Sequence, residues 1–357
     1  MKKRLRFGVI GAGAIGLHHM DAIKKCERAE LVAIAESSPQ RRKEAMERFH
    51  VSDGYGDYKN LLARKDIDAI SIALPNYLHA PVAIEALRAG KHVHLEKPMA
   101  FHAREAVRVI ATAKKAKRMV MVGQNMRFTR DAQSLKVLVE QGELGEVYHA
   151  KAWWIRRAGI PRIGSWFTQK KFAGGGALLD IGVHLLDLGL HLLNHFNPVS
   201  VSGVTYAKFG PRGLGEGGWG KSEIDKKAVF DVDDYAMALI KLKGGKSLVL
   251  EVSWAAHSVD SSHGVQLYGT EGGGSVFPVK IYRQAKSLPA SQAASDSYET
   301  VTPAFSSLPY PEERLHHFTD CVLDGTKPMV APEQSLAVQK ILDAIYDSAR
   351  TGREVRL

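Results

Sequence analysis

The stretch "RLRFGVIGAGAIGLHH", residues 4–19, decides how the first part of the chain folds. Its apolar beginning has the composition of a buried strand, and helical periodicity follows. Between the two, Gly11, Gly13 and Gly16 keep the G-x-G-x-x-G spacing. Gly11 permits a tight turn, Gly13 lets the backbone approach a pyrophosphate, and Gly16 allows close helix–strand packing. The stretch therefore predicts a strand, a phosphate-binding turn and a helix whose N-terminal N–H groups favour anions.

Strand and helix patterns alternate through the first third of the chain. The predicted strands cover residues 4–10, 29–36, 68–75, 91–96 and 118–125, and the predicted helices cover 14–26, 38–50, 79–90 and 102–117. Because the strands are nearly all apolar, both faces of their sheet should be buried. This alternation predicts an α/β fold with a parallel sheet between two layers of helices.

An acidic residue after the second predicted strand indicates which dinucleotide binds. Glu36 lies twenty residues after Gly16, close to the spacing of a ribose-binding carboxylate. A carboxylate there accepts hydrogen bonds from ribose hydroxyls and repels a 2′-phosphate, which favours NAD. NADP stays open, because Ser37, Ser38, Arg41 and Arg42 would suit a 2′-phosphate if Glu36 turned away.

Polar residues also follow the later predicted strands. Ligands of such sheets bind at the carboxyl ends of the strands, so these positions should line the cofactor crevice. In "HVHLEKPMAFH", residues 92–102, Pro98 ends a strand directly after a charged pair, Glu96 and Lys97. The predicted cofactor contacts are Gly11, Gly13, Ala14, Ile15, Gly16, Glu36, Ser37, Arg41, Leu74, Pro75, Asn76, His79, Glu96, Lys97 and Asn125.

Composition narrows the class of protein. A length of 357 residues suggests two domains, and two distant cysteines, Cys26 and Cys321, favour a reducing cytoplasm over disulfides or a cysteine metal site. The net charge of +11 comes from dispersed basic residues without a nucleic-acid motif, so we expect no nucleic-acid partner. The basic, apolar N-terminus is better explained by the glycine-motif strand than by a signal peptide. No apolar run approaches the ~18–20 residues of a membrane span, so no membrane partner is expected.

The pattern changes after residue 125. Residues 134–145 and two segments near 312–324 and 333–351 have helical patterns. Residues 235–256 form two strand patterns around Gly244-Gly245, a hairpin signature. Hairpins without intervening helices indicate an antiparallel sheet and hence a different domain. We therefore expect one domain over residues 1–125 and a second over residues 126–357.

A leucine-rich helix in the second part carries candidate catalytic residues. It lies in "GGGALLDIGVHLLDLGLHLLNHF", residues 174–196, where Asp180 and His184 are four residues apart and share one face. A buried carboxylate beside an imidazole orients it and raises its basicity, which suits a general base. His191 and His195 lie later in the helix and are interpreted as core residues, and no ligand spacing predicts a metal site.

Taken together, the motifs resemble those of the Gfo/Idh/MocA oxidoreductases, the family of glucose–fructose oxidoreductase and inositol dehydrogenase. They lie along nearly the whole chain in the family's order: "GVIGAGAIGLHH" (8–19), "ALPNYLH" (73–79), "HLEKPMA" (94–100), "GQNMRF" (123–128), "GGGALLDIGVHLLDL" (174–188) and, more weakly, "YGTEGG" (268–273). The resemblance implies an N-terminal Rossmann domain and a C-terminal α/β domain with a large, mostly antiparallel open sheet. It also implies a homodimer or homotetramer, and a catalytic set of Lys97, Asp180 and His184. A cis Lys97–Pro98 bond is a further hypothesis.

The implied reaction is reversible oxidation of a secondary hydroxyl of a sugar, cyclitol or anhydrosugar by NAD(P). His184 would take the hydroxyl proton, Asp180 would hold the imidazole, and Lys97 would donate a hydrogen bond to the reacting oxygen. One alternative is an NAD-dependent, redox-neutral glycoside hydrolase. Another is a non-catalytic dinucleotide-dependent regulator, although a regulator has no chemical need for the proton-transfer residues.

Aromatic and basic residues in "AWWIRRAGIPRIGSWF", residues 152–167, suit a carbohydrate. Alternation along a strand allows only one of two pairs to face the ligand, and we choose Trp154 with Arg156 over Trp153 with Arg157. The predicted substrate contacts are Lys97, Arg127, Trp154, Arg156, Trp166, Asp180 and His184. The glycine-rich loop 209–223 is interpreted as a lid or a subunit contact.

Overall fold

The computed structural model describes residues 4–218, 222–284, 298–303 and 307–357. Its first sheet is parallel and has six strands: β1 (Leu5–Ile10), β2 (Ala29–Ala35), β3 (Asp53–Tyr55), β4 (Ala69–Ile72), β5 (His92–Leu95) and β6 (Val120–Val122). The strand order β3-β2-β1-β4-β5-β6 is that of a doubly wound dinucleotide-binding fold. The predicted fold class is therefore confirmed.

Five helices accompany this sheet: α1 (Ala14–Lys25), α2 (Pro39–Phe49), α3 (Tyr58–Leu62), α4 (His79–Arg88) and α5 (Ala103–Ala116). Helix α2 begins as predicted, because the Ser38 side chain caps it by accepting from the Arg41 backbone and Pro39 occupies the first turn. The sequence did not predict β3 or α3. Both are short, and β3 is an edge strand of three residues, too few for a periodic pattern.

The second sheet has nine described strands: β7 (Val147–Ile155), β9 (Pro198–Tyr206), β11 (Tyr235–Leu242), β12 (Ser247–Ser253), β13 (Ser262–Gly269), β14 (Gly273–Val276), β15 (Lys280–Gln284), β16 (Tyr298–Val301) and β17 (Val355–Arg356). Their order is β16-β15-β14-β13-β7-β12-β11-β9-β17. Among these strands every pair is antiparallel except β7 with β12. The predicted hairpin at Gly244-Gly245 is β11–β12, and the mostly antiparallel second sheet is confirmed.

Helices cover one face of the second sheet: α6 (Arg130–Glu140), α8 (Val183–Leu192) and α10 (Pro332–Thr351). The short helix α7 (Lys170–Ala173) packs instead against the turn at Asn76–Leu78. A π-helical turn, Leu178–Gly182, leads into α8. Helix α6 begins four residues earlier than predicted, because the Thr129 side chain caps it by accepting from the Ala132 backbone. The predicted loop 209–223 includes residues 219–221, which lie outside the described residues. Its described part contains β10 (Glu216–Gly217), which pairs with β8 (Ile160–Pro161).

The stretch Lys170–Leu192 is long and apolar enough to cross a membrane by length and composition. This contradicts the expectation that no apolar run approaches span length. However, 83% of the tested window is buried inside the protein. Its leucines pack in the core of the second sheet, which accounts for the apolar composition.

Helix α9 (Arg314–Asp324) lies late in the sequence but packs on the first sheet. Phe318 is fully buried there, with its ring centroid 5.9 Å from that of Phe7 on β1. The core of the first sheet thus includes side chains from beyond residue 300. The domain boundary at residue 125 stays a prediction.

We predict that Phe318→Ala lowers the free energy of unfolding by about 3–5 kcal/mol, because it leaves a cavity in a closed core. Equilibrium denaturation measures the loss. The matched control is Val107→Ala on α5, whose side chain is 49% exposed and whose loss should stay within about 0.5 kcal/mol. Equal losses in the two variants would show that α9 does not pack on this core.

Candidate active site

The glycine turn after β1 has the shape needed for a dinucleotide phosphate. A Cβ at Gly16 would lie 1.9 Å from the Gly11 carbonyl oxygen, and one at Gly11 would lie 2.3 Å from the Ala73 carbonyl oxygen. At Gly13 a Cβ would meet nothing within 4 Å. The outer glycines therefore allow close packing, while Gly13 opens to space beside the N-terminus of α1. Ala14 and Ile15 begin that helix and are exposed beside this space.

Glu36 follows β2 and is held rigidly by donors around it. Its carboxylate accepts hydrogen bonds from the Ala12 backbone at 2.8 Å, the Ser38 backbone at 2.9 Å and Arg41 at 3.1 Å. Burial by itself would raise the pKa of Glu36, but these donors lower it below the ordinary value. Ser37 also donates to it, at 3.3 Å. The site thus presents a fixed negative charge where a ribose is expected.

The turns after β4, β5 and β6 lie at the same edge of the sheet. His79 spans two of these turns, with ring nitrogens 2.8 Å from the Leu74 carbonyl oxygen and 2.7 Å from the Pro98 carbonyl oxygen. Asn76 is buried and donates to the Ala173 carbonyl at 2.8 Å, so its amide anchors α7. Pro75 precedes it at the turn, and Asn125 is exposed just after β6.

Lys97 lies directly after β5, and its ammonium reaches the second domain. The Nζ atom donates to the backbone oxygen of Asp180 at 2.8 Å and to its carboxylate at 2.9 Å. Trp254, at the end of β12, donates its indole N–H to the other carboxylate oxygen at 2.9 Å. Burial alone would raise the pKa of Asp180, but these donors and the charge of Arg156 lower it, so the carboxylate is ionised. The Lys97–Pro98 peptide bond is cis.

The structure corrects the role expected for Asp180. Its carboxylate is bonded to Lys97 and Trp254, and the Nδ1 atom of His184 has no hydrogen-bond partner among the described residues. Asp180 therefore holds the lysine, not the imidazole. Burial, followed by the charge of Lys97, lowers the pKa of His184 to about 3. The imidazole is therefore neutral near pH 7.

The start of the leucine-rich helix is fixed by an uncommon set of contacts. Asp233, which is buried, accepts from the backbones of Gly176 and Leu178 at 2.8 and 2.9 Å and from the Tyr346 hydroxyl at 2.7 Å. A Cβ at Gly176 would lie 1.8 Å from the Asp233 backbone oxygen, so this approach requires glycine. The π-helical turn then carries Asp180, and such turns are frequent at functional sites.

Of the two aromatic–arginine pairs, the structure brings Trp154 close to His184, with Arg156 over the Trp154 ring. The Trp154 ring centroid lies 6.4 Å from that of His184, and the Arg156 guanidinium carbon lies 4.5 Å over the Trp154 ring. Trp153 instead donates to Ser262 in an exposed contact. Trp166 stacks on Phe167, with ring centroids 3.8 Å apart, and has no described contact with Asp180 or His184.

Arg127 does not have the role expected of it. Its side chain is fully buried and forms two hydrogen bonds with the Asp187 carboxylate, at 2.7 and 2.6 Å. The remaining Nη atom donates to the Met329 carbonyl and to Gln334. Arg127 ties the end of the first sheet to α8 and α10, and it has no exposed donor for a substrate.

Glu96, expected to contact the cofactor, instead binds other residues of the protein. Its carboxylate lies 3.0 Å from Arg314 of α9 and 3.0 Å from His19 of α1, and it accepts from the Lys97 backbone at 3.2 Å.

Sequence reasoning missed both Arg314 and Trp254 as site residues. Trp254 offered one signal, because an indole N–H on a buried strand face must find an acceptor. Arg314 gave none, since its partners come from distant elements.

Comparison with known proteins identifies the two halves of the chain. Residues 5–124 match a family model described as an oxidoreductase family with an NAD-binding Rossmann fold. Residues 132–274 match the GFO/IDH/MocA C-terminal domain. Both matches agree with the two sheets seen in the structure.

Individual relatives match over most of the chain. D-glucoside 3-dehydrogenase of Escherichia coli K12 is 31% identical over 99% of this chain and 97% of its own. Levoglucosan dehydrogenase of Pseudarthrobacter phenanthrenivorans is 30% identical over 76% and 73%. A levoglucosan dehydrogenase solved with NADH and levoglucosan has a TM-score of 0.83 and 25% identity, covering 99% of both chains. The chain therefore belongs to the GFO/IDH/MocA family of NAD-binding oxidoreductases.

Proposed function

We propose that this protein is an NAD-dependent dehydrogenase that oxidises a secondary hydroxyl of a sugar, cyclitol or anhydrosugar. The observation that carries the proposal is the meeting of Lys97, held by Asp180, with a neutral His184 beside the cofactor edge of the first sheet. Relatives named for glucosides, levoglucosan and inositol support a polyhydroxylated substrate.

NAD, when bound, would accept a hydride from the substrate carbon. The glycine turn with Gly13 and the carboxylate of Glu36 would hold its phosphate and ribose parts. Lys97 directs its ammonium to the substrate oxygen, where it stabilises developing negative charge. The imidazole of His184, which is partly exposed, accepts the hydroxyl proton. Asp180 acts by positioning Lys97.

The Trp154 ring and the Arg156 guanidinium form the proposed sugar wall. An aromatic face suits the C–H face of a sugar ring, and the guanidinium fork suits neighbouring hydroxyls. Trp154 lies beside His184 and Arg156 lies over the Trp154 ring, so a sugar ring resting on Trp154 would present a hydroxyl to the imidazole. Trp166 is a further proposed contact on sequence grounds alone.

The deciding experiment is a screen for reduction of NAD and NADP with glucosides, levoglucosan, inositols and free monosaccharides. The proposal expects net NADH formation with at least one of these compounds. Cleavage of a glycoside without net NADH would instead identify a redox-neutral hydrolase. NAD should be preferred, since both sides of the Arg41 guanidinium already pair with carboxylates, Glu36 at 3.1 Å and Glu223 at 3.2 Å.

The glycine turn gives a prediction that does not depend on the sugar. Gly13→Val places a side chain in the open space and should weaken NADH binding about tenfold or more, with the fold intact. Fluorescence titration of NADH and thermal unfolding measure the two effects. Gly16→Val is the contrasting variant, because its Cβ meets backbone and should lower the melting temperature. Normal NADH binding by a folded Gly13→Val protein would place the phosphates elsewhere.

The pKa of His184 predicts the acid side of the pH profile. Because the pKa is lowered to about 3, the imidazole stays unprotonated as pH falls through the ordinary histidine range. The kcat/KM value should therefore show no loss attributable to His184 near pH 6.5. A fall near pH 6.5 that vanishes in His184→Asn would contradict this, since it would show an exposed, ordinary imidazole.

We propose a homodimer or homotetramer built through the second sheet. Its outer face carries large apolar side chains that are 36–49% exposed on three neighbouring or nearby strands: Tyr148, Val204, Tyr206, Met237 and Leu239. Such a patch on a soluble enzyme marks an association surface. A cytoplasmic location is proposed because Cys26 and Cys321 are free and buried.

A further inference from the structure

A buried polar cluster lies behind Lys97, within the first sheet and its helices. It joins α1, β4, β5 and α9 through His19, Ser71, His94, Glu96 and Arg314, all less than 9% exposed. The Ser71 hydroxyl lies 2.9 Å from Nδ1 of His19 and 3.3 Å from Nδ1 of His94. None of these groups takes part in the chemistry described above. Burying polar side chains in an apolar core is costly unless hydrogen bonds compensate, and such bonds link these five residues.

Glu96 is the link between this cluster and the active site. One carboxylate oxygen lies 3.0 Å from both His19 and Arg314. The other accepts the backbone N–H of Lys97 at 3.2 Å. Since Pro98 has no N–H, the Lys97 amide is the last backbone donor of this strand end. Its acceptor is therefore a side chain whose own position is set by Arg314.

We propose that Arg314 is a positioning residue for the dehydrogenase reaction: by holding Glu96 it fixes the Lys97 backbone, and so aims the ammonium at Asp180 and the substrate. The proposal rests on the proposed function. It makes α9, which comes from late in the chain, part of the support of the catalytic lysine.

The charges of Glu96 and Arg314 also act on the active-site residue His184. Burial alone would raise the pKa of Glu96, but His19, Arg314 and Lys97 lower it well below its usual value, so Glu96 is ionised. The pKa of His184 depends first on burial and then on the charges of Lys97 and Asp180. Next in size come Glu96, which raises this pKa, and Arg314, which lowers it. The charges of Glu96 and Arg314 thus act in opposite directions on the imidazole.

Gly123, which follows β6, lies directly against Glu96 and Arg314. A Cβ at Gly123 would lie 3.0 Å from the Glu96 carboxylate and 3.2 Å from Nε of Arg314. A side chain at this position would press on both partners. The absence of one lets the guanidinium approach Glu96 beneath the turn that carries Lys97.

The test compares Arg314→Met, Arg314→Lys and the double variant Glu96→Leu/Arg314→Met. Arg314→Met alone removes the guanidinium from a buried carboxylate and risks unfolding, whereas the double variant removes both charges and should fold. The first readout is hydrogen–deuterium exchange of the Lys97 amide, which needs no substrate. The second is kcat against KM with a sugar that the wild-type enzyme oxidises.

The matched control is Arg28→Met. Arg28, in the loop between α1 and β2, also binds α9, through Asp320 at 2.5 Å and Asp324 at 2.5 and 2.8 Å, but has no described contact with Glu96. A role limited to docking α9 would make Arg28→Met resemble Arg314→Met. Thermal unfolding of each variant separates lost stability from lost positioning.

We expect faster Lys97 amide exchange in Arg314→Met and in the double variant, and wild-type exchange in Arg28→Met. In Arg314→Met and in the double variant, kcat should fall about tenfold or more while KM stays within about threefold of wild type. A misplaced lysine affects the transition state more than it affects substrate binding. Arg314→Lys should restore most of kcat. Wild-type exchange and kcat in a folded Arg314→Met, or equal losses in Arg28→Met, would overturn the proposal. If exchange changes as expected but the wild-type enzyme oxidises no sugar, the positioning stands and the proposed function fails.

Discussion

The contact between the Lys97 ammonium and Asp180 is the interaction on which the site depends. It joins the end of a parallel strand in one domain to a helical turn in the other, through two hydrogen bonds of 2.8 and 2.9 Å. Both side chains are mostly buried, at 16% and 10% exposed. A buried pair of this kind is stable only with good geometry and further hydrogen bonds, which Trp254 supplies to Asp180.

Each side of this contact has its own support. On the first domain, β5 delivers Lys97 to the edge where the glycine turn and Glu36 also lie, and Glu96 holds its backbone. On the second domain, Asp233 and Tyr346 fix the helix start that carries Asp180. Asp180 is bonded to Lys97, while burial and then the charge of Lys97 keep the neighbouring His184 neutral. The division of roles follows from which partner each group already has.

Much of this was predictable from the sequence. The glycine spacing, the apolar strands and the charged stop at Glu96-Lys97-Pro98 are local patterns, and they predicted the first sheet and the placement of Lys97. The partner of Asp180 was predicted wrongly, since residues four apart on a helix share a face whether or not they bond. Trp254 lies more than seventy residues away, and its approach depends on how β12 packs. The role of Arg127 was also predicted wrongly. A polar residue at a strand end can face either the ligand crevice or a buried carboxylate, and the local sequence does not distinguish the two.

The central claim is that Lys97 and Asp180 act as one unit. A double-mutant cycle on kcat with Lys97→Met, Asp180→Asn and the combined variant tests it most directly. If the two residues work through their mutual contact, the double variant should lose about as much kcat as the worse single variant, on the order of a hundredfold or more. Losses that multiply would show independent roles and contradict the account.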